Sequence, residues 1–563
     1  MSKSSVGTNF AVNRRDVLRL SATAAVGAVL GETSHALDST KTAAHQEPGN
    51  CSTPRTAVAS TQYGKVRGFL DGGVFTFKGI PYGQNTAGEN RWLPAKPPVP
   101  WKDEYPALIY GANCPQRLHD YTAIEQSFIQ DWDDGYMSED MLKLNVWTPS
   151  LSGSRPVMVY FHGGGFFFGS AYELPSQEGA QLARHHDVVS VTVNHRLNIL
   201  GFFDLTEVGG SAYEDSVNVS MTDLVASLRW VRDNIANFGG DPDRVMIYGQ
   251  SGGGSKVTCL MGMPSAKGLF HRASVQSGGG GNFPSGEQSK EYARQVMKEL
   301  GLQPNDLASL QKMEWPKLNS AANAAAAKIN PRFRGFFFGP PTPGAPPRVG
   351  SSPTVDGRII PMRSFFDGAP ELTKDVPMLI GSVSEEGNRM ASNPSEEEWH
   401  ATLTQEFGAT KATAIVAAMK KAHPEKAIRT LSYGVAGLGG RNHVVDMATM
   451  KYKLHAAPVY QYFFTWQSPI LDGIAGAWHT SELAFCFDNT KRCEQGTGNT
   501  PEAQALSKKM ATAWANFART GNPSQSGLEW APADPDRGQT MVWDKECRMV
   551  DDPEGEVRKL LLT

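Results

Sequence analysis

Cysteine is scarce in this chain, with only six among 563 residues. That number is too small for a disulfide scaffold in a chain this long. Two of the six, Cys486 and Cys493, flank a polar, turn-like segment, so a local disulfide bond and two free buried thiols are both open interpretations. The sequence also has no Cys-x-x-Cys pair and no His-Glu-x-x-His motif, and we therefore expect no metal site.

Two further features are missing: an imbalance of charge and a long apolar run. The chain carries 54 Lys+Arg against 57 Asp+Glu, a net charge of −3, which excludes a dedicated nucleic-acid-binding protein. No uninterrupted apolar run approaches the roughly 20 residues of a membrane-spanning helix, which argues against an integral membrane protein. Hydrophobic residues make up 40% of the chain, enough for a large core. Nothing in the sequence indicates an oligomeric state.

The first 36 residues have the pattern of an export signal. Arg14 and Arg15 precede a mildly apolar stretch from Leu20 to Gly31, and small residues around Ala36 suit cleavage by a signal peptidase. The alternative is a short helix that two arginines precede by chance. We expect residues 1–36 to be a twin-arginine-type signal peptide, residues 37–57 a flexible leader, and residues 58–563 one catalytic domain exported to the periplasm or beyond.

From about residue 155 the chain alternates between two patterns, apolar β-branched runs and amphipathic helical stretches. Leu224, Leu228, Val231, Ile235 and Phe238 recur at helical spacing and are followed by two glycines, which predicts a helix that ends there. The predicted strands are residues 157–161, 188–193, 245–248, 273–276, 378–381 and 459–464. A second long helix is predicted around residues 506–517. Such alternation predicts an α/β fold with a mostly parallel central sheet and helices on both faces.

The clearest chemical motif is Gly-x-Ser-x-Gly, with Ser251 between a predicted strand and a predicted helix. We call residues 249–253 the serine elbow. Glycines are needed on both sides of such a serine because the backbone turns sharply there, and the turn lifts the hydroxyl clear of the sheet. The alternative is an ordinary glycine-rich turn, but the preceding apolar strand favours a nucleophile.

A second glycine-rich motif, His-Gly-Gly-Gly at residues 162–165, also follows a predicted strand. We call these residues the glycine loop. Glycines can turn backbone N–H groups toward a developing negative oxygen without interference from side chains. We expect Gly164, Gly165 and Gly252 to form an oxyanion hole, whereas a flexible turn is the alternative.

Around these motifs the chain resembles the type-B carboxylesterases of the α/β-hydrolase fold, which are related to the cholinesterases. Further landmarks of the resemblance occur in the family's order at residues 77–82, 138–140, 144–147, 194–197, 237–242 and 270–273. The resemblance extends from about residue 58 to the C-terminus. It implies one catalytic domain with large loop and helical insertions, and no cofactor.

The remaining members of a catalytic triad follow from the order serine, acid, histidine. His479 comes after the predicted strand at residues 459–464 and matches the family's catalytic histidine, so we expect it to act as general base. The strand at residues 378–381 runs into two glutamates, of which the resemblance selects Glu386 as the orienting acid. Glu385 is the alternative acid and is otherwise expected to be a solvated charge.

The chain departs from the family at three places. Gln250 replaces the usual glutamate before the serine, and Gly252 replaces the usual alanine after it. Met141 stands where the family has a cysteine, so Cys114, which resembles the usual partner of that cysteine, lacks its disulfide.

Substrate preference is expected to depend on loops. Phe166 and Phe167 follow the glycine loop and are expected to form a wall of the substrate pocket. A proline-rich segment at residues 331–353 carries three consecutive phenylalanines, Phe336, Phe337 and Phe338, which either line an apolar pocket or pack against the body. We expect a small-molecule substrate, a medium-chain or aromatic carboxylic ester, with amides, carbamates, lactones and polyester fragments as alternatives. A non-catalytic binding protein on the same scaffold is the remaining alternative, although the chain keeps both serine and histidine.

Overall fold

The structure is a computed structural model that describes residues 57–119, 124–330, 347, 349–350, 352–387, 390 and 392–562. The predicted signal peptide at residues 1–36, nearly all of the predicted leader, and Phe336, Phe337 and Phe338 lie outside the described residues. In the described part of the chain no helix is long and apolar enough to cross a membrane.

The strands are β1 (Val58–Thr61), β2 (Gly64–Arg67), β3 (Phe69–Asp71), β4 (Val74–Pro81), β5 (Tyr105–Pro106), β6 (Lys143–Thr148), β7 (Arg155–Phe161), β8 (Val189–Val193), β9 (Gly240–Gln250), β10 (Arg272–Gln276), β11 (Met378–Val383), β12 (Val459–Phe464), β13 (Gln539–Trp543) and β14 (Arg548–Asp551). The helices are α1 (Ile124–Gln130), α2 (Ala180–His186), α3 (Asn198–Gly201), α4 (Thr206–Gly209), α5 (Val219–Asn234), α6 (Gly252–Gly262), α7 (Gly286–Leu300), α8 (Leu307–Lys312), α9 (Trp315–Ile329), α10 (Glu396–Phe407), α11 (Ala409–Ala422), α12 (Ile428–Tyr452), α13 (Leu483–Cys486), α14 (Glu494–Thr497), α15 (Pro501–Thr520) and α16 (Gly555–Leu562).

Eleven strands form one large sheet in the order β14-β13-β12-β11-β10-β9-β7-β8-β6-β4-β3. Seven strands that are adjacent in this order pair in parallel, namely β13, β12, β11, β10, β9, β7 and β8. The strands at the two ends of the sheet, β14 on one side and β6, β4 and β3 on the other, pair antiparallel. A small second sheet contains β1, β2 and β5. The predicted α/β class with a mostly parallel central sheet is therefore confirmed.

The sheet is covered on both faces because successive side chains of a strand point in opposite directions. Along β7, Val157, Val159 and Phe161 belong to one buried apolar cluster, and Met158 and Tyr160 belong to another. Residues of α5 and α6 complete the first cluster, and residues of α15 complete the second. Every residue of β8 is buried, as the nearly all-apolar run in the sequence predicts for a strand covered on both sides.

The predicted helix at residues 224–238 is found as α5 followed by a short 3-10 turn, Ile235–Phe238. This helical stretch ends at Gly239, whose φ of 73° is in the left-handed region that favours glycine. β9 is longer than predicted, since it begins at Gly240 rather than at residue 245.

The interpretation of Cys486 and Cys493 as a disulfide is wrong, because both residues are free thiols. Cys486 ends α13 fully buried in the second apolar cluster, where its sulfur accepts a hydrogen bond from the Gln276 amide at 3.5 Å. Cys493 is partly buried and directly precedes α14. Cys114 is also a free buried thiol, and its sulfur accepts a hydrogen bond from the backbone N–H of Leu197 at 3.2 Å.

Candidate active site

The serine elbow lies between the end of β9 and the start of α6. Ser251 has φ 58° and ψ −122°, a backbone conformation that non-glycine residues rarely adopt outside functional sites. Its backbone N–H donates to the carbonyl of Gln276 on the neighbouring strand at 2.8 Å, and its side chain remains partly exposed. A Cβ at Gly253 would lie 2.0 Å from the carbonyl oxygen of Phe161, so only glycine fits there.

The glycine loop follows β7, the strand next to β9 in the sheet. Gly164 and Gly165 have φ values of 72° and 62°, in the left-handed region that favours glycine. A Cβ added to Gly252 would lie 2.4 Å from the backbone N of Gly165 and 2.3 Å from its carbonyl oxygen. The elbow and the loop are therefore in direct backbone contact, and Gly164 and Gly165 are both partly exposed beside Ser251.

His479 lies in the loop after β12, and Glu386 lies just after the end of β11. Nδ1 of His479 is hydrogen-bonded to Oε2 of Glu386, and each of the two side chains is 14% exposed. Oε1 of Glu386 accepts from the backbone N–H of Val383 at 3.2 Å, which fixes the carboxylate at the end of its strand. The elbow follows β9, the glutamate follows β11 and the histidine lies in the loop after β12. All three are therefore on the side of the sheet where its parallel strands end, which is where α/β proteins build their sites.

The other candidate acid, Glu385, is buried against the backbone of the loop that carries the histidine. It is 1% exposed, and one of its oxygens accepts from the backbone N–H of Ala477 at 3.5 Å. Burial raises the pKa of its carboxyl. The prediction that Glu385 would be a solvated charge is wrong, because its side chain packs closely against Gly476. A Cβ added to Gly476 would lie 2.3 Å from Oε2 of Glu385.

Gln250, the departure before the serine, is 1% exposed and contacts the histidine directly. Its Nε2 lies 3.2 Å from Nε2 of His479. Nδ1 of the imidazole is engaged by Glu386, so this amide approaches the other ring nitrogen, Nε2. A neutral amide in this position adds no charge to the site.

Two features of the site were missed from the sequence. On α12, a Cβ at Gly437 would lie 2.1 Å from the carbonyl of Ser384, and one at Gly440 would lie 3.3 Å from Cγ of Glu386. These glycines let α12 approach the loop after β11, which carries Glu386. The glycine-rich run at residues 434–440 was the feature of the sequence that could have predicted this close approach.

The second missed feature is Glu482, three residues after the histidine, which is fully buried. Burial, followed by the negative charge of Glu386, raises the pKa of Glu482 from 4.5 to about 8. The protonated, neutral form of this carboxyl is therefore favoured in the folded protein.

The phenylalanines after the glycine loop divide between core and surface. Phe166 is 6% exposed and packs edge-to-face against Phe202 and Phe283, with ring centroids 5.5 and 5.9 Å apart. Phe167 is partly exposed, and its carbonyl accepts from the Asn198 amide at 3.3 Å. Among the described residues, no group of three or more His, Cys, Asp or Glu side chains is placed to hold a metal ion.

Comparison with known proteins gives a consistent identification. The sequence profile of the Carboxylesterase family matches residues 55–558. The chain is 32% identical to the para-nitrobenzyl esterase of Bacillus subtilis (strain 168) over 511 residues, which cover 90% of this chain and 98% of that protein. It is 31% identical to the phenmedipham hydrolase of Pseudarthrobacter oxydans, over 84% of this chain and 91% of that one.

Among solved structures, the chain is similar to an esterase from anaerobic Clostridium hathewayi that can hydrolyse aliphatic aromatic polyesters. The TM-score is 0.77 at 32% identity, and the match covers 89% of this chain and 97% of that one. The chain therefore belongs to the type-B carboxylesterase family, and it is a serine esterase that hydrolyses carboxylic esters.

Proposed function

We propose that Ser251 is the nucleophile of this esterase, with His479 as general base and Glu386 as the acid that orients the imidazole. The observation that carries this assignment is the hydrogen bond between Glu386 and Nδ1 of His479, in a site where Ser251 is held in a strained elbow. The carboxylate holds the proton on Nδ1, so Nε2 is left as the basic nitrogen.

In the proposed reaction the Ser251 hydroxyl attacks the ester carbonyl while its proton passes to Nε2 of His479. The N–H groups of Gly164, Gly165 and Gly252 stabilise the negative oxygen of the tetrahedral intermediate. The intermediate collapses as the histidine returns the proton to the departing alcohol, which leaves an acyl group on Ser251. Water then repeats the sequence and releases the carboxylic acid.

We propose uncharged, medium-chain or aromatic esters as the substrates. The support is the partly exposed Phe167 next to the glycine loop and the names of the relatives. Those names include hydrolases of para-nitrobenzyl esters and of aliphatic aromatic polyesters. Carbamates are the second candidate, because one relative at 31% identity is named as a phenmedipham hydrolase.

A panel of p-nitrophenyl esters from acetate to laurate, with matched anilides and an aryl carbamate, tests both proposals. We expect turnover to be highest with four- to eight-carbon acyl groups, and we expect Ser251→Ala to abolish turnover of the whole panel. Retention of ester turnover in Ser251→Ala would refute the assigned nucleophile. Faster cleavage of the anilides or of the carbamate than of every ester would refute the proposed substrate class.

We further propose that residues 1–36 direct export of the folded enzyme through a twin-arginine pathway. The support is the Arg14–Arg15 pair ahead of a mildly apolar stretch. In a bacterial host with that pathway, the full chain should yield esterase activity outside the cytoplasm, and the double variant R14K/R15K should retain it inside. Equal export of the two chains would contradict the proposal.

A further inference from the structure

Lys256 is a fully buried lysine that the proposed mechanism does not use. It lies on α6, five residues after Ser251, in a stretch that is otherwise small or apolar. Lysine is almost never fully buried without a specific partner. Its position directly behind the serine elbow therefore calls for an explanation.

The ammonium group of Lys256 is directed at the backbone of the glycine loop. Its Nζ donates to the carbonyl of His162 at 2.7 Å and to the carbonyl of Gly163 at 3.2 Å. In a trans peptide group the C=O and the following N–H point in opposite directions. The carbonyl of Gly163 shares its peptide group with the N–H of Gly164, so a donor bound to that carbonyl directs that N–H away from Lys256.

Burial and a nearby acidic group act in opposite directions on the charge of Lys256. Burial lowers the pKa of Lys256 to about 7, and the buried carboxylate of Glu173 acts in the opposite direction. The neighbouring imidazoles of His162 and His195 have lowered pKa values, mainly because they are buried, and they are therefore neutral at pH 7. The ring of Phe166 lies 5.7 Å from Nζ and offers its face to the ammonium group.

We propose that Lys256 is a positioning residue for the oxyanion hole: it orients and polarises the peptide group that supplies the N–H of Gly164. A hydrogen bond from a cation draws electron density toward the carbonyl and makes the opposite N–H a stronger donor. The inference rests on the proposed role of the glycine loop. It adds a source of positive potential behind the loop that does not touch the substrate.

The test compares Lys256→Met and Lys256→Gln with Lys451→Met. Lys451 is a matched control, because it is also buried, at 1% exposed, and its Nζ donates to two backbone carbonyls, those of Thr373 at 3.0 Å and Lys374 at 2.6 Å. Burial lowers the pKa of Lys451 too, to about 8. All three variants lose a similar buried interaction, but only the variants of Lys256 change the glycine loop.

The readouts are kcat and KM for p-nitrophenyl butyrate, the melting temperature, and inhibition by an alkyl trifluoromethyl ketone, which forms a tetrahedral oxyanion on a serine. For Lys256→Met we expect kcat to fall on the order of 10–100-fold, with KM within threefold and a parallel loss of affinity for the ketone. Lys256→Gln keeps a donor without the charge and should fall between Lys256→Met and the wild type. Lys451→Met should lower the melting temperature and leave both kinetic readouts within twofold.

Three results would overturn the proposal. The first is a kcat of Lys256→Met within twofold of the wild type. The second is an equal kinetic loss in Lys451→Met. The third is failure of both Lys256 variants to fold while Lys451→Met folds, since Lys256 would then support the fold rather than the loop. Ser251→Ala separates this inference from the proposed function: if Ser251→Ala is inactive and Lys256→Met is fully active, only the role of Lys256 is lost.

Discussion

Replacing Gly252 by alanine adds one methyl group where the serine elbow meets the glycine loop. The added Cβ would lie 2.4 Å from the backbone N of Gly165 and 2.3 Å from its carbonyl oxygen, whereas ordinary contact begins at 3.4 Å. The loop must therefore move by about 1 Å, since the contacting atoms are backbone. A displacement of about 1 Å in a catalytic group typically costs ~10²-fold in rate, or about 2.7 kcal/mol of transition-state stabilisation.

The substitution should leave the fold intact. Gly252 is the first residue of α6 and does not have a left-handed φ, so alanine suits its backbone conformation and raises helix propensity. We expect Gly252→Ala to melt within a few degrees of the wild type, and its kcat for p-nitrophenyl butyrate to fall about 100-fold. KM should change little, because the N–H groups of the proposed oxyanion hole stabilise the transition state rather than the bound ester.

Gly254→Ala on the same helix is the matched control. A Cβ there would lie 3.2 Å from the side chain of Val275 and 3.3 Å from Gly278, a tight contact that a small shift relieves. We expect its kcat to stay within threefold of the wild type. A kcat within threefold for Gly252→Ala as well would refute the reasoning, and it would mean that the loop accepts the alanine that the family usually has at this position.

Three further predictions concern buried carboxylates. Glu386→Gln should lower kcat by about 10³–10⁴-fold with the fold intact, whereas Glu385→Gln should keep kcat within tenfold. A larger loss of kcat in Glu385→Gln than in Glu386→Gln, under the same conditions, would assign the acid to Glu385 instead. Burial raises the pKa of Glu482 from 4.5 to about 8, so its contribution to stability is full below pH 4.5 and is lost as the pH rises through about 8. The melting temperature of Glu482→Gln should therefore fall less than that of the wild type between pH 5 and 9, and parallel curves would contradict this. The Arg196 guanidinium is 1% exposed and is bound to Asp223 at 2.6 and 2.8 Å. Asp223→Ala should lower the free energy of unfolding, measured in urea, by about 3–5 kcal/mol, because it leaves this guanidinium buried without its counter-charge. A loss under 1 kcal/mol would argue against a buried ion pair.

Six of the seven parallel strands were predicted from the sequence, because each is a short, mostly apolar run, whereas β13 was not predicted. β8 and the end of the helical stretch at Gly239 were placed within a residue or two, whereas α5 begins five residues before the predicted start at residue 224. The residue pattern did not predict the strands of the antiparallel end, β3, β4 and β6. Two of these strands pair with partners far along the chain, and such pairing leaves no periodic signal in the strand itself.

The site was predictable where a residue type is required by local backbone geometry, as in the serine elbow and the glycine loop. The environments of Glu385, Lys256 and Glu482 were not predictable in this way. Whether a charged side chain is solvated or buried depends on which distant segment covers it, and the spacing of charges along the chain does not contain that information. The proximity of Cys486 and Cys493 in the sequence likewise did not decide between a disulfide and two free thiols, and the structure has the free thiols.

The parallel order of the strands has a consequence for how the enzyme matures. The contact between Gln250 and His479 joins residues 229 positions apart, and the bond between Glu386 and His479 joins residues 93 positions apart. Contacts of such long sequence separation form late, because the entropy of closing the loops between them is lost before the contacts are gained. During refolding from denaturant, helical circular dichroism should therefore return before ester turnover does. A chain released from the ribosome before β12 and its following loop are made would have an elbow but no histidine, so catalytic activity reports on the last stage of assembly.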